Sequence, residues 1–376
     1  MNQDRLQQIS EILGPRFQMD YFSRTKGHAL YRTDEQSVSM EEMDRLIVEL
    51  MTRGYVPQIQ RRNGEWLIHV IPQTKRKLLS NPVINVLLFL LTIITTMMAG
   101  ATLVGKDYFA NFGLIIYGLN YSFAVLTILT AHEMGHYLAA RYHKMKVTLP
   151  YYIPLPIPGF NFGTLGAFIK IKSPIPNRLA LLDVGAAGPL AGFVTSLIFL
   201  TIGYLRLPDL QGIIAFVETI HPWNMDGQGV NLVLGNSLLF SFFNDFLAGG
   251  RLPMNEIYHF PFIFAGWIGL LVTAINLIPI GQLDGGHILF SLIGKKARMV
   301  GIMAFLLLLA LNFVLIVRYF SFVWVVWIIL ILVLIGFRHP PTLYDSMPLD
   351  KNRRIIGWVT LVIFVLCFSP LPIYIG

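Results

Sequence analysis

Two histidines and a glutamate form an HEMGH pentapeptide over His132–His136, at the end of an uncharged apolar run that covers residues 110–131. On a helix, this spacing places two imidazoles one turn apart on one face, where they can hold one Zn²⁺. Glu133 between them can then act as the general base toward a water at the metal. Charged groups at membrane depth are costly and are rarely kept without a function. A hydrogen-bonded histidine pair in a helix bundle is the alternative, but it would leave Glu133 buried with no cation near it in sequence.

A catalytic zinc site needs a third protein ligand, and acidic residues within or beside the apolar runs of this chain are few. We predict Asp284 as that ligand, at the end of the apolar run 257–283, because Pro279 would break the helix and glycines follow the aspartate. His287 remains a weaker rival ligand three residues further along. Three other candidates fit a metal site less well. Asp183 suits a helix N-cap, and Glu256 borders the outer end of a span. His143 belongs to a basic cluster at the membrane surface.

The composition identifies an integral membrane protein, since 55% of the 376 residues are hydrophobic and only 13% are charged. Uncharged apolar runs that are long enough to cross a membrane occur seven times. They cover residues 82–100, 110–131, 184–205, 257–283, 299–317, 319–337 and 355–376. A further apolar stretch near 230–243 is too short to span and is predicted to be re-entrant or interfacial.

The net charge of +8 is distributed according to the predicted loops. Basic residues collect before the first run, between the second and third, after the fourth and between the sixth and seventh, while the opposite loops hold few. This alternation follows the positive-inside rule, and it predicts a cytoplasmic N-terminus and a C-terminus outside. The basicity therefore reflects orientation in the lipid bilayer, and no nucleic acid is expected as a partner.

Residues 1–77 are too polar for a signal peptide and are predicted to form a small cytoplasmic α/β domain. A short helix is expected near the start, and Ser39 with Glu42 forms a capping box that opens a second helix. The Asn-Gly pair at 63–64 predicts a hairpin, which gives a β-α-β-β order if Ala29–Arg32 is also a strand. The domain is expected to regulate activity, to dock substrates or only to cap the first span.

The loop of residues 147–178 is rich in proline and glycine and lies between two spans on the predicted cytoplasmic side. Within it, Ala167–Ile171 alternates apolar and polar residues as a strand does. Irregular backbone at a membrane edge persists only where protein or a watery cavity covers it. A β-hairpin or re-entrant loop that dips toward the histidines fits this constraint, and an ordinary proline-rich surface loop is the alternative.

Two motifs together resemble those of the site-2 protease family of intramembrane zinc metalloproteases: HEMGH in a span, followed by Asn-x-x-Pro-x-x-x-Leu-Asp-Gly over Asn276–Gly285. The sequence Gly-Phe-Asn-Phe-Gly at 159–163 and the glycine-rich Asp183–Phe193 strengthen the resemblance, in particular to the bacterial and plastid branch without large inserted domains. No PDZ or CBS domain is visible in the sequence. The resemblance covers residues 80–300. It implies transmembrane helices around a zinc bound by two histidines and one aspartate, and proteolysis of membrane-spanning substrates.

These features predict an all-α polytopic membrane protein of about seven transmembrane helices, with a cytoplasmic-side β-hairpin or re-entrant loop and a small N-terminal α/β soluble domain. The expected domains are the soluble domain over 1–77, an intramembrane metalloprotease core over 78–300 and additional transmembrane helices over 301–376. Such a multi-pass protein is expected in a bacterial plasma membrane. The sequence does not indicate an oligomeric state.

The predicted activity is zinc-dependent endopeptidase cleavage of single-span membrane proteins within the lipid bilayer. One Zn²⁺ per chain is expected on His132, His136 and Asp284, with Glu133 as the general base. At a rise of about 1.5 Å per residue, His136 lies roughly 8 Å and His132 roughly 14 Å inside Arg141, the first basic residue after the span. The metal is therefore expected within the membrane, near its cytoplasmic face.

Five residues are predicted to bind substrate: Asn276, Gly159, Asn161, Phe162 and Gly163. Asn276, about two turns before Asp284, is expected to hold the substrate backbone or to stabilise the oxyanion, with an interhelical hydrogen bond as the alternative. The edge of the segment 159–172 is expected to pair with an unwound substrate as an added strand.

Three other classes of protein can carry paired histidines in a span. An ion-conducting transporter would have polar residues along several spans, whereas here they concentrate at two points. A catalytically silent binding or chaperone homologue would be expected to lack Glu133 or Asp284, and both are present. Membrane metalloproteases whose third ligand is glutamate would carry an E-x-x-x-D/N-like pattern on a later helix, and none is evident.

Overall fold

The structure is a computed structural model and describes residues 3–23, 28–72, 81–157, 161–220, 232–337, 339–340, 342–345 and 347–375. The helices in these ranges are α1 (Gln3–Leu13), α2 (Met40–Thr52), α3 (Pro82–Leu103), α4 (Leu119–Tyr142), α5 (Arg178–Leu205), α6 (Leu210–Ile220), α7 (Leu238–Ala248), α8 (Pro261–Asn276), α9 (Asp284–Ile293), α10 (Ala297–Tyr319), α11 (Val323–Leu330) and α12 (Lys351–Cys367). The strands are β1 (Gln18–Ser23), β2 (His28–Asp34), β3 (Tyr55–Arg62), β4 (Glu65–Pro72), β5 (Tyr151–Pro154), β6 (Thr164–Phe168), β7 (Leu232–Leu234) and β8 (Ile373–Ile375). Short 3₁₀ or π helices cover Glu35–Ser37, Phe112–Gly118, Ile257–His259, Gly294–Lys296 and Ile331–Ile335.

The N-terminal region is a four-stranded antiparallel sheet in the order β1-β2-β4-β3, with α1 and α2 packed on one face. Alternate strand residues such as Ile59 and Ile68 are buried against Ile9 of α1 and Met43 of α2. The predicted β-α-β-β order omits β1. This strand lies at an exposed edge and is interrupted by a bulge, so burial does not impose an alternating pattern on its sequence.

Two local signals in this region are confirmed by the structure. The Ser39 hydroxyl accepts a hydrogen bond from the backbone N–H of Glu42 at 3.2 Å and caps α2. Asn63 and Gly64 have φ values of 53° and 80°, as a type I′ turn between β3 and β4 requires. The sheet contacts the rest of the chain through β3, where the backbone N–H of Ile59 donates to the carbonyl of residue 343 at 2.6 Å.

Four segments of the described chain are long and apolar enough to cross a membrane: Pro82–Leu103, Phe112–Tyr142, Arg178–Leu205 and Asp284–Tyr319. They contain all or nearly all of the predicted runs 82–100, 110–131, 184–205 and 299–317. The other three predicted runs form shorter helices, since α8 has 16 residues, α12 has 17 and the helical segment Val323–Ile335 is shorter still. By length and composition the structure therefore supports four candidate spans, and the predicted count of seven is not confirmed.

The last predicted run and the short stretch near 230–243 meet in the structure. Beyond α12 the chain becomes extended, and β8 pairs antiparallel with β7. Run 355–376 is therefore not one continuous helix. Within the described residues, the stretch near 230–243 is divided between β7 and the start of α7, which is too short to cross a membrane.

The predicted span 257–283 ends early, and this moves Asp284 to a different helix. α8 stops at Asn276, and Pro279, which lacks a backbone N–H, lies in the non-helical segment that follows. Gly281 has a φ of 54°, a value that suits glycine and lets the chain turn back. Asp284 is therefore the first residue of α9 rather than the last residue of the preceding span.

The proline- and glycine-rich loop forms the predicted hairpin from β5 and β6. Asn85 of α3 fixes its start by donating hydrogen bonds to the carbonyl oxygens of Leu149 and Pro150 at 3.0 and 2.8 Å. The Tyr152 hydroxyl of β5 lies 2.7 Å from the Thr130 hydroxyl of α4, two residues before the first histidine. The hairpin is thereby attached to both α3 and α4 beside the HEMGH motif.

Candidate metal centre

Three side chains of the kind that bind zinc converge between α4 and α9. His132 and His136 lie one turn apart on α4, and Asp284 begins α9. The Oδ2 atom of Asp284 is 3.6 Å from Nε2 of His132 and 3.3 Å from Nε2 of His136, and the two Nε2 atoms are 3.1 Å apart. Ligand atoms about 2.0–2.1 Å from a tetrahedral zinc are roughly 3.4 Å from one another. The three side chains therefore fit one zinc ion, and within the described residues they are the group placed to bind a metal.

Two glycines of α5 make room for the imidazoles. A Cβ on Gly188 would overlap the ring of His136, and a Cβ on Gly192 would lie 3.1 Å from Nδ1 of His132. The glycine-rich sequence that begins at Asp183 thus lets α5 approach the metal-binding face of α4. Since Gly188 and Gly192 are one turn apart, each faces one histidine.

The second nitrogen of His136 is held by the backbone of α5. Its Nδ1 lies 2.7 Å from the carbonyl oxygen of Val184, which can only accept a hydrogen bond. Nδ1 therefore carries the proton, and Nε2 presents its lone pair toward Asp284. A ligating histidine commonly has this arrangement, because the second hydrogen bond fixes both the tautomer and the ring orientation.

Glu133 lies beside the three ligand-type side chains and is itself buried. The backbone N–H of Ile169, the residue that follows β6, lies near its carboxylate. This proximity brings the hairpin next to the predicted general base. A cavity of about 310 Å³ brings these groups together, and its lining includes the three ligand-type residues, Glu133, residues 167–169 and Asn276.

The predicted substrate-binding residues fall into two groups. Asn276, the last residue of α8, lies at the cavity with its Nδ2 atom 3.3 Å from Nε2 of His132. Gly159 lies outside the described residues. Asn161, Phe162 and Gly163 precede β6 and do not line the cavity among the described residues. Their roles in substrate binding stay predictions.

The 161–163 segment is attached to α3 and α4 by its backbone. The carbonyl oxygen of Phe162 accepts a hydrogen bond from the hydroxyl of Tyr121 at 3.0 Å. The carbonyl oxygen of Gly163 accepts one from the hydroxyl of Thr95 at 2.6 Å. These contacts anchor the end of the loop from which β6 and then Ile169 reach the cavity.

The rival ligands occupy other positions. His287 lines the cavity, but its Nδ1 lies 2.6 Å from Nε2 of His339, a partner that sequence reasoning missed because it is 52 residues away in the chain. Asp183 is not the N-cap of α5, a position that Asn177 fills. It is bound instead by Arg353 and by His143.

Asp183 joins the ends of three helices. Nη2 of Arg353, on α12, lies 2.7 Å from its Oδ2 atom, and Nε2 of His143, which follows α4, lies 2.8 Å away. His143 thus contributes to a charged cluster, as its basic surroundings predicted. Glu256 lies near His259, before the start of α8, and is not part of the metal-binding group.

Known proteins resemble this chain over the same region. The model of Peptidase family M50 matches residues 120–317. The protein named Probable zinc metalloprotease EGY2, chloroplastic, from Oryza sativa subsp. indica is 32% identical over 265 residues, which cover 70% of this chain and 45% of that protein. Its namesake from Arabidopsis thaliana is 32% identical over 267 residues, which cover 70% and 44%. Probable zinc metalloprotease EGY1, chloroplastic, from Oryza sativa subsp. japonica is 34% identical over 177 residues, which cover 47% and 28%.

The chain spans less than half the length of these curated relatives. No solved structure matches it. The relatives are chloroplast proteins by name, so they give no support to the expected location in a bacterial plasma membrane. The matched family region runs from α4 into α10 and contains all three ligand-type residues together with Glu133.

Proposed function

Because the chain belongs to peptidase family M50, we propose that it is a zinc-dependent intramembrane endopeptidase that cleaves the membrane-spanning segments of single-span proteins. The observation that carries the proposal is the convergence of His132, His136 and Asp284 in one cavity, with Glu133 beside them. All four residues belong to segments long and apolar enough to span a membrane. A zinc site in that position would lie within the bilayer, where it could hydrolyse peptide bonds of spanning segments.

His132, His136 and Asp284 hold one zinc ion in this proposal. When bound, zinc lowers the pKa of a coordinated water and polarises a carbonyl oxygen. Glu133 removes a proton from the attacking water and later delivers it to the leaving amine. The Ile169 N–H, which lies near the Glu133 carboxylate, is suited to hold it in place between these two transfers. The Nδ2 donor of Asn276, close to His132, is suited to the oxyanion that develops on the attacked carbonyl.

The hairpin presents the substrate in this proposal. Carbonyl groups of a helical substrate are hydrogen-bonded within the helix, so the segment to be cut has to unwind first. β6 pairs with β5 along one edge, and the residues that continue it, up to Ile169, line the cavity. An unwound segment can add to this edge as a further strand, which would place its backbone beside Glu133. The exposed side chains of Leu165 and Phe168 can make apolar contacts with this substrate segment.

A groove between α3 and α4 is the proposed route from the bilayer. It has a volume of about 550 Å³ and is lined mainly by apolar side chains such as Phe89, Ile93 and Leu126. The groove extends along α4 to Ala131 and Met134, which flank His132 and Glu133 in the chain. A substrate helix that packs against this groove would therefore reach the level of the metal-binding residues without leaving the membrane.

The alternation of basic loops supports an orientation for the proposed enzyme. In this orientation the N-terminal sheet lies on the same side of the membrane as the basic loops, and the C-terminus lies on the other. The site then opens toward the basic side, since the hairpin and the end of α4 lie there.

Reconstituted vesicles test the proposed activity. The purified protein and a single-span substrate labelled at both ends are combined, and the products are mapped by mass spectrometry. We expect cleavage within the spanning segment, loss of cleavage with a zinc chelator and recovery when zinc is restored. Cleavage confined to soluble loops, or cleavage that is indifferent to the chelator, would contradict the proposal.

A further inference from the structure

A second cavity lies at the junction of α9 and α10 and is separate from the metal centre. Its volume is about 300 Å³, and its lining includes Lys295, Arg298 and His339 together with the aromatic rings of Phe290 and Phe337. None of its lining residues also lines the cavity that contains Glu133. The proposed proteolytic function leaves this cavity without a role.

The two basic side chains of this cavity, Lys295 and Arg298, have no ion-pair partner among the described residues. The cavity lining that the structure describes contains no acidic residue. The first turn of α10 begins at Ala297, also in the lining, and adds the positive end of a helix of 23 residues. A group with negative charge is therefore the complementary ligand.

The imidazole ring of His339, which lines this cavity, is uncharged. Its Nδ1 atom lies 2.6 Å from the carbonyl oxygen of Pro340 and so carries a proton, while its Nε2 atom accepts a hydrogen bond from His287. Burial also lowers the pKa of His339, which favours the uncharged ring. The cationic groups available to a ligand are therefore those of Lys295 and Arg298.

The membrane-facing surface of α10 distinguishes a lipid from a free anion. Ile302, Leu306 and Phe313 are exposed, and at four, eight and fifteen residues after Arg298 they lie on the same side of the helix as this cavity residue. The segment Asp284–Tyr319 is the least buried of the four candidate spans. A basic cavity at the start of such a span lies at the depth of lipid headgroups, and the exposed helix below it faces acyl chains.

We propose that this cavity binds the phosphate group of an anionic phospholipid, with Lys295 and Arg298 on the phosphate and the acyl chains along α10. The rings of Phe290 and Phe337 then contact the glycerol region. The bound lipid would lie behind α9, the helix that begins with Asp284, and its binding does not depend on the proteolytic activity.

Native mass spectrometry of the full chain tests the proposal, after release from vesicles of phosphatidylcholine that contain phosphatidylglycerol. The variant Lys295→Gln/Arg298→Gln removes both charges and keeps most of each side chain. The control Lys351→Gln/Arg354→Gln removes two exposed basic residues at the start of α12. With about 1 kcal/mol per basic residue, we expect the first variant to lose phosphatidylglycerol affinity about 30-fold and the control to retain it.

Further measurements separate the possible sources of phosphate. Inorganic phosphate, added as a competitor, should not displace the lipid, because it has no acyl chains to pack against the apolar surface of α10. Displacement by inorganic phosphate alone would assign the cavity to a free anion and overturn the lipid proposal. An equal loss of lipid in both variants would overturn it too, since that result would indicate general attraction of the basic surface. Circular dichroism confirms that each variant is folded.

Discussion

The substitution Gly188→Ala tests whether α5 positions the metal-binding histidines. A Cβ on Gly188 would overlap the imidazole of His136, whose other nitrogen is held at 2.7 Å by the Val184 carbonyl. The ring cannot keep both its hydrogen bond and its position toward Asp284, so one of the three proposed ligands is displaced. Mutation of a residue that orients a metal ligand typically lowers metal affinity about 10–100-fold. For Gly188→Ala we expect zinc affinity to fall at least about 100-fold, because the ligand itself is displaced.

Gly192→Ala is the matched control for this substitution. It lies one turn further along α5, and its Cβ would be 3.1 Å from Nδ1 of His132, a distance that a small shift relieves. We expect zinc affinity to fall by no more than about 10-fold. Alanine is favoured over glycine in a helix interior by about 0.5–1 kcal/mol, so neither variant should lose helix content for reasons of propensity.

Zinc affinity is measured by competition with a chelator, and folding by circular dichroism and thermal unfolding. The expected order of zinc affinity is wild type, then Gly192→Ala, then Gly188→Ala. Full zinc affinity in folded Gly188→Ala would refute the reasoning, because the His136 ring would then not need the space that this glycine leaves.

Three further predictions concern the third ligand, the orientation and the N-terminal sheet. Asp284→Asn should lose most of the bound zinc while His287→Ala keeps it, as elemental analysis of the purified variants can measure; the reverse result would make His287 the ligand. Reporter domains fused after residue 77 and after residue 376 should lie on opposite sides of the membrane, and the same side for both would contradict the charge-based orientation. Burial and the neighbouring His28 lower the pKa of His69 below its ordinary 6.5, so the unfolded chain binds the proton more readily and the sheet should lose stability as the pH falls through the range below about 6.5. Hydrogen-exchange protection of β2 and β4 in the full chain should therefore decrease between about pH 7 and 5, and His69→Gln should flatten this dependence.

The three proposed metal ligands were predictable because their signals are local or scarce. The spacing of His132 and His136 fixes their common face on any helix, whatever surrounds it. Asp284 could be chosen because few acidic residues border the apolar runs. Its placement on α9 could not be predicted, since the turn after α8 depends on how the chain packs beyond Pro279. The sequence shows that a helix breaks there but not where the chain goes next.

The groups that orient the site were not predictable from residue types. Val184 and Ile169 act through a backbone carbonyl and a backbone N–H, which every residue except proline possesses. His339 reaches His287 from a distant part of the chain, and nothing in its neighbourhood indicates that contact. Gly188 was visible as part of a glycine-rich sequence, but its closeness to His136 depends on how α4 and α5 cross.

The predicted count of seven spans is not confirmed because three of the apolar runs do not form a continuous helix of spanning length. Run 257–283 contains Pro279 and Gly281, so its continuous helix ends at Asn276. Run 355–376 ends in β8, which pairs with β7. Apolar composition identifies residues that avoid water, but it does not distinguish a spanning helix from a shorter helix followed by buried irregular chain.

Zinc content and cleavage, measured together on Glu133→Gln, test the central claim most directly. Glutamine occupies nearly the same space as glutamate, so the helix and both imidazoles should remain in place, but it cannot accept a proton from water. We expect zinc binding close to that of the wild type and a loss of intramembrane cleavage of about 10²–10⁴-fold or more, with Glu49→Gln on the exposed face of α2 as an unaffected control. Cleavage at the wild-type rate by zinc-loaded Glu133→Gln would contradict the account, because the proton would then be removed by another group.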